Sequence, residues 1–366
     1  MKKIVFNLGV SLPALLLAYI LFPFLSNLYC FYRVSPEAVV KEIHQALQGF
    51  EFPTAFVRVH TGRPLIRSKN ENVIYVYGGS SLIVTNSGAY PHNVFPGKLQ
   101  EALKGKALVS NFGRSGMDSF YARDIFKYTC KIQKPDLVIL YAGHNDYTNI
   151  YRKFVRRHYS LLKGTLLRSI LRARSRFHDN ADWHLDYNFE PIVDSYCAAR
   201  GLLAIDFNEF LQYDSAAEGY YQDNIRQILG YAKENGISVL LITPVGNLYK
   251  KPVGNKALLQ AYERAVSIPD YSRRIAMLSE VRDRDFLAPD IRAKTPMLRF
   301  LRTLEDAKNG IHVLDLEQEL MKIEFSFNND GVYDYFHLTE ATHEVIKDMI
   351  LRELKKKALL KERLRP

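Results

Sequence analysis

The chain has 366 residues, enough for one large domain or two small ones, and its hydrophobic share of 47% is ordinary for a globular protein. Its three cysteines, Cys30, Cys130 and Cys197, show no zinc-type spacing with histidine, which argues against a zinc site or a disulfide scaffold. The formal charge of +11 is unevenly spread: nine Lys or Arg and no acid lie between Tyr151 and His178.

In chain order, the first feature is residues 4–32, which carry no charged side chain after Met1-Lys2-Lys3. This exceeds the roughly 20 residues that cross a bilayer, and it is longer than the apolar core of a signal peptide. No A-x-A cleavage site follows, so residues 1–32 are read as an uncleaved transmembrane anchor. Lys2 and Lys3 favour a cytoplasmic N-terminus, with the remainder outside the cytoplasm, in the periplasm if the source is Gram-negative. Residues 33–70, with Pro36, Pro53 and Pro64, read as a connector carrying a short helix near 37–48.

The run Val73 to Tyr77 is β-branched and aromatic, as suits a strand covered on both faces of a parallel sheet. It ends at Gly78-Gly79-Ser80-Ser81-Leu82, which is neither a dinucleotide loop nor a P-loop and lacks the second glycine of a nucleophile elbow. Further buried-strand patterns lie at 107–110, 137–141, 238–243 and 311–316. Between the first of these strands stand helical patterns at 96–105 and 119–133, the latter with Ser119 as its expected N-cap. Alternating strands and helices imply βαβ crossovers, hence a doubly wound, flavodoxin-like α/β/α fold of three layers with a mainly parallel five-stranded sheet. The domain is placed at 71–354, followed by a basic tail at 355–366.

Two helical insertions interrupt the rhythm, at 147–218 and 250–309, and segments of that length commonly form lids or binding walls. The first includes the basic stretch 151–178, where Leu161, Leu162, Leu166, Ile170 and Leu171 recur at near-helical spacing. Such a face suits either anionic lipid headgroups or plain solvation on its own domain. Nucleic acid is a poor partner for a domain outside the cytoplasm. Cys130 and Cys197 can pair in an oxidising compartment, but their spacing does not require it.

Polar clusters follow the strands: Asn111-Phe112-Gly113-Arg114-Ser115-Gly116 after the second, Ala142-Gly143-His144-Asn145-Asp146 after the third, and Asp334-Tyr335-Phe336-His337-Leu338-Thr339 near the C-terminus. With Gly78-Gly79-Ser80-Ser81 they resemble, in order, the four blocks of the SGNH/GDSL hydrolase superfamily, over residues 73–345. The resemblance implies Ser80 as nucleophile, His337 as its base and Asp334 as the orienting acid. It also implies an oxyanion hole made by the Ser80 and Gly113 N–H groups and the Asn145 amide, with no metal and no cofactor. A serine hydroxyl needs such a base, and the base needs an orienting group.

One departure is Gly79, which stands where the family commonly has an acid; it bears on the rigidity of the loop. Ser81 is the alternative nucleophile. Thr339 is expected to cap a final helix whose Val345, Ile346, Met349 and Ile350 pack on the sheet. Arg292, in the second insertion, and His144 are the candidate substrate-binding residues, with a surface salt bridge as the alternative for Arg292. The resemblance fits an esterase that removes an acyl or acetyl group from an envelope glycan, lipid or small ester. It also fits an acyltransferase using the same acyl-serine, or a non-catalytic envelope-binding module that keeps the fold.

Overall fold

In the computed structural model, which describes residues 72–88, 92–150, 207–252, 256–285 and 292–360, the five apolar runs form five parallel strands. These are β1 (Asn72–Gly78), β2 (Ala107–Asn111), β3 (Leu137–Tyr141), β4 (Ser238–Ile242) and β5 (Ile311–Leu314), in the order β2-β1-β3-β4-β5. That order reverses between β1 and β3, and such a switch point opens a crevice beyond the carboxyl ends of the strands.

The helices in chain order are α1 (Phe95–Ala102), α2 (Ser119–Ile132), α3 (Phe207–Glu234), α4 (Lys256–Val266), α5 (Tyr271–Asp283), α6 (Thr295–Arg302), α7 (Leu316–Lys322) and α8 (Glu340–Lys356). Successive side chains of a strand point to opposite faces, and β1 divides accordingly. Val73, Tyr75 and Tyr77 join a cluster with Phe120 and Phe126 of α2, Ile225 and Ile228 of α3, and Met297 and Leu301 of α6. Ile74 and Val76 join another, with Leu99 of α1, Ile275 and Leu278 of α5, Leu320 of α7, and Ile346, Met349 and Ile350 of α8. The expected packing of α8 is therefore present, Val345 being partly buried against the same cluster. Burying a tyrosine requires a partner for its hydroxyl: Tyr77 meets Thr129 Oγ1 at 2.6 Å, and Tyr75 donates to the Gln133 carbonyl at 3.2 Å.

Several details differ from expectation, each for a local reason. α2 is capped by Asp118, whose carboxylate accepts the Tyr121 N–H, and Ser119 is instead its first residue. β5 ends at Leu314 because Asp315 caps α7, accepting the Gln318 N–H. The second insertion is largely helical, as expected, but α5 and α6 bury apolar residues in opposite clusters, so they form part of the two outer layers. Cys130 has its thiol pushed up to about 12 by burial.

No helix among the described residues is long and apolar enough to cross a membrane. The expected anchor (1–32), the connector (33–70), the basic segment 151–178 and Cys197 lie outside the described residues.

Candidate active site

β1 ends at Gly78 because the chain there runs against β3: a Cβ on Gly78 would lie 2.1 Å from the Tyr141 carbonyl oxygen. The chain then turns into a single 3₁₀ turn, Ser80–Leu82, sealed by Leu82 N–H to the Gly79 carbonyl at 3.1 Å and Ile83 N–H to the Ser80 carbonyl at 2.9 Å. Ser80 opens that turn, so its N–H has no intrahelical acceptor and is available to a ligand.

Far along the chain, the loop 334–337 comes to the same place. Asp334 Oδ1 accepts the backbone N–H groups of Phe336 (2.9 Å) and His337 (2.8 Å), which curls the loop around its own carboxylate. Asp334 Oδ2 then meets His337 Nδ1 at 2.5 Å, and His337 Nε2 meets Ser80 Oγ at 2.6 Å. With Nδ1 facing a carboxylate, that nitrogen carries the proton, which leaves Nε2 as the acceptor for the serine hydroxyl. Burial works to raise the Asp334 pKa, but the hydrogen bonds and charge of His337, with the Phe336 N–H, hold it below the ordinary carboxylate value. Asp334 is accordingly ionised beside the imidazole at neutral pH.

Ser81 is turned away from this relay, its hydroxyl donating to the Phe336 carbonyl at 3.1 Å. It ties the two loops together, and Ser80 is the serine that His337 contacts. Thr339 caps α8 as expected, accepting the Thr342 N–H, and also donates to the Asp330 carbonyl at 3.0 Å.

The predicted oxyanion donors come from the ends of β2 and β3. Asn145 Nδ2 donates to the Met117 carbonyl at 2.8 Å, which leaves its second N–H for another acceptor. Its amide packs against Gly79 so closely that a Cβ there would lie 2.4 Å from Nδ2. Gly79 has φ −81° and ψ −159°, which other residues adopt, so glycine is needed here for space. An acid at position 79 would meet the Asn145 amide unless that side chain moved.

Gly113 presses equally closely on the Ser80–Leu82 turn, a Cβ there lying 2.4 Å from Leu82 Cβ. Its N–H, however, already donates to Asn111 Oδ1 at 2.9 Å, while Asn111 Nδ2 donates to the Leu82 carbonyl at 2.7 Å. To serve an oxyanion, the Gly113 N–H must be shared with Asn111. The sequence reading passed over Asn111, although an Asn two residues before a glycine is the spacing of an Asx turn.

Behind Asn145 lies a buried polar network that the motifs did not predict. Asp146, fully buried, accepts the Ser119 N–H at 3.1 Å and also its hydroxyl. Asn224 of α3 donates to Ser119 Oγ at 3.1 Å, and Asn149 donates to Asp118 at 3.0 Å. Burial raises both carboxyls above their ordinary values, and the charge of Asp118 pushes Asp146 further. The network docks the segment carrying Asn145 onto the start of α2.

Both candidate substrate-binding residues are buried. Arg292 is 2% exposed and commits its guanidinium to Asp285 Oδ2 (2.8 Å) and the Asn247 carbonyl (2.5 Å). The expected alternative, a surface salt bridge, is also corrected, because the pair is buried. His144 is buried, accepts the Ala293 N–H on Nδ1 at 3.0 Å, and stacks on Phe336 with ring centroids 4.8 Å apart. Burial, then the charge of nearby His337, lowers its pKa to about 3, so it stays neutral.

No protein-family model matches the sequence, and no curated protein is similar to it at a significant level. Among solved structures, the chain is similar to a lipase/acylhydrolase from Enterococcus faecalis, at 14% identity and a TM-score of 0.38 over 80% of this chain and 100% of that one. A GDSL-like lipase from Bacteroides thetaiotaomicron is similar at 13% identity and 0.40, over 82% and 96% of the two chains. A member of the lipolytic G-D-S-L family from Veillonella parvula is similar at 9% identity and 0.42, over 78% and 98%. At these values the likenesses carry none of the functional reading, which rests on the geometry of the site.

Proposed function

We propose that this chain is a serine ester hydrolase of the SGNH type, with Ser80 as nucleophile, His337 as general base and acid, and Asp334 as the group that orients the imidazole. The observation that carries the reading is the continuous relay from Asp334 Oδ2 through His337 to Ser80 Oγ, at 2.5 and 2.6 Å. Both contacts lie within the reach that proton transfer requires.

In the proposed reaction Ser80 Oγ attacks the ester carbonyl while its proton passes to His337 Nε2. The carbonyl π electrons move onto oxygen, and the resulting oxyanion is met by the Ser80 N–H and the Asn145 amide, with the Gly113 N–H shared. Collapse breaks the bond to the alcohol, which leaves with the proton from His337. Water then enters by the same steps in reverse, giving the free acid and restoring Ser80. Asp334 stays ionised throughout and stabilises the imidazolium.

The proposed substrate is an acyl ester, and residues 1–32 would hold the enzyme at a membrane with the domain outside the cytoplasm. The test is hydrolysis of p-nitrophenyl acetate by the purified chain together with its Ser80→Ala variant. Loss of the activity and of fluorophosphonate labelling in the variant is expected; retention of full hydrolysis by Ser80→Ala would refute the assignment.

A further inference from the structure

The proposed chemistry needs the loop 334–337 held in register with Ser80 and Asn145, yet these groups come from distant parts of the sequence. Among the described residues, the segment Arg292–Lys294, which leads into α6, is tied to both halves. All three of its residues are at most 2% exposed. The Ala293 N–H donates to His144, the neighbour of Asn145, and Lys294 Nζ donates to Asp214 at 2.5 Å.

Arg292 reaches the other half through Asn247, which follows β4. While Arg292 Nη1 holds the Asn247 carbonyl, the Asn247 N–H donates to the Tyr335 carbonyl at 2.9 Å. The Asn247 side chain donates to the Val332 carbonyl at 2.7 Å and to Asn329 Oδ1 at 3.0 Å. The guanidinium also lies against the Tyr335 ring, 5.7 Å from its centroid. Tyr335 is the residue directly after Asp334, so the buried cation meets the loop of the relay both through Asn247 and at the Tyr335 ring. Gly246 permits the junction: a Cβ there would sit 3.1 Å from Arg292 Cγ and 3.2 Å from the Tyr335 carbonyl oxygen.

An ion pair this deeply buried is a poor way to gain stability, because removing both charges from water offsets their attraction. Its planar fork nevertheless does what an apolar residue cannot, satisfying a carboxylate and a carbonyl at fixed angles. We propose that Arg292 is a positioning residue, which through Asn247 fixes the loop carrying Asp334 and His337 against Ser80. Its effect on rate rests on the hydrolase reading; its effect on the Asp334–His337 hydrogen bond does not.

The test uses the full chain with Arg292→Lys, Asn247→Ala and the double variant. Lysine keeps a positive charge opposite Asp285 but has no second arm for the Asn247 carbonyl. Two quantities are read: kcat and KM for p-nitrophenyl acetate, and the far-downfield proton signal of His337 Nδ1–H in one-dimensional NMR. Arg292→Lys is expected to lower kcat about tenfold with KM within about twofold, and to broaden or abolish the downfield signal. The double variant is expected to be no worse than the worse single one, since both act along one route.

A folded Arg292→Lys variant with unchanged kcat and an unchanged signal would overturn the proposal, as would fully additive losses in the double variant. If lysine prevents folding, Arg292→Met with Asp285→Leu removes both charges of the pair and is judged on the same two readouts. If the wild-type chain hydrolyses no ester, the hydrolase reading fails, and the NMR signal alone decides the role of Arg292.

Discussion

A methyl group added at Gly79 tests the geometry of the proposed oxyanion hole more selectively than removal of the proposed nucleophile. The Cβ of Gly79→Ala would lie 2.4 Å from Asn145 Nδ2, about 1 Å inside the 3.4 Å at which ordinary contact begins. The backbone at Gly79 suits alanine, so the strain falls on the neighbour, and the Asn145 amide must swing out of place. It then gives up its 2.8 Å hydrogen bond to the Met117 carbonyl, a buried acceptor whose loss of a partner costs about 1–3 kcal/mol. Against this, Gly→Ala at a compatible φ/ψ stabilises by about 0.4–1 kcal/mol through the unfolded chain. Stability should therefore fall by no more than about 2–3 kcal/mol, while loss of one oxyanion donor should lower kcat by about 100- to 1,000-fold, or about 3 kcal/mol of barrier.

The assay is kcat for p-nitrophenyl acetate alongside urea denaturation for Gly79→Ala, Asn145→Ala and the double variant. Asn145→Ala removes the amide that the new methyl would strike, so adding Gly79→Ala to it should cost almost nothing more. A Gly79→Ala enzyme with kcat within threefold of wild type, or one whose loss adds in full to that of Asn145→Ala, would refute the reasoning.

The remaining expectations concern the relay, pH and the final helix. Asp334→Asn should fold but lower kcat by about 10⁴, because an amide does not hold the tautomer that leaves Nε2 free to accept; pre-steady-state acylation rates check this. His144 and His343 are both lowered to about 3, chiefly by burial, while the unfolded side chain titrates near its ordinary value. Between those values the unfolded chain binds more protons, so each histidine's contribution is complete above a pH of about 6.5 and falls with acidification by up to about 1.4 kcal/mol per pH unit. Asp118 and Asp146, raised by burial, titrate with the opposite sign, so His343→Gln is compared with wild type by urea denaturation from pH 4 to 7. The acid limb should flatten by up to one proton, and an unchanged slope would show that His343 is not held neutral. Thr339→Ala should cost about 1 kcal/mol by removing the α8 cap, seen as a lower urea midpoint with m unchanged.

Much of the fold was legible because its signals are local. The β1 and β3 runs are buried at every position, and a strand covered on both sides needs no information from elsewhere to be recognised. Ser80, Asn145, Asp334 and His337 were legible for a related reason: they stand next to strand ends or a helix cap, and their types and order resemble a known pattern. Ser119 was misjudged as a cap because Asp118 beside it competes for the same N–H, and only the demand of Asp146 for the serine hydroxyl decides between them.

What the sequence determined by itself is the alternation of buried strands with helices, and the residue types, a serine and an asparagine after strands and an aspartate and a histidine before the last helix, that meet at the candidate site. The tertiary structure alone decided what each polar group is spent on. Arg292 reads as a substrate-binding residue until the fold sets Asp285 and Asn247 around it, and so does His144 until Ala293 and Phe336 pack on its ring. Gly79 reads as a lost acid until Asn145 fills the space where a side chain would stand. The physical reason is common to all three: burial and partnership depend on segments distant in sequence, and no local pattern encodes which of them will arrive.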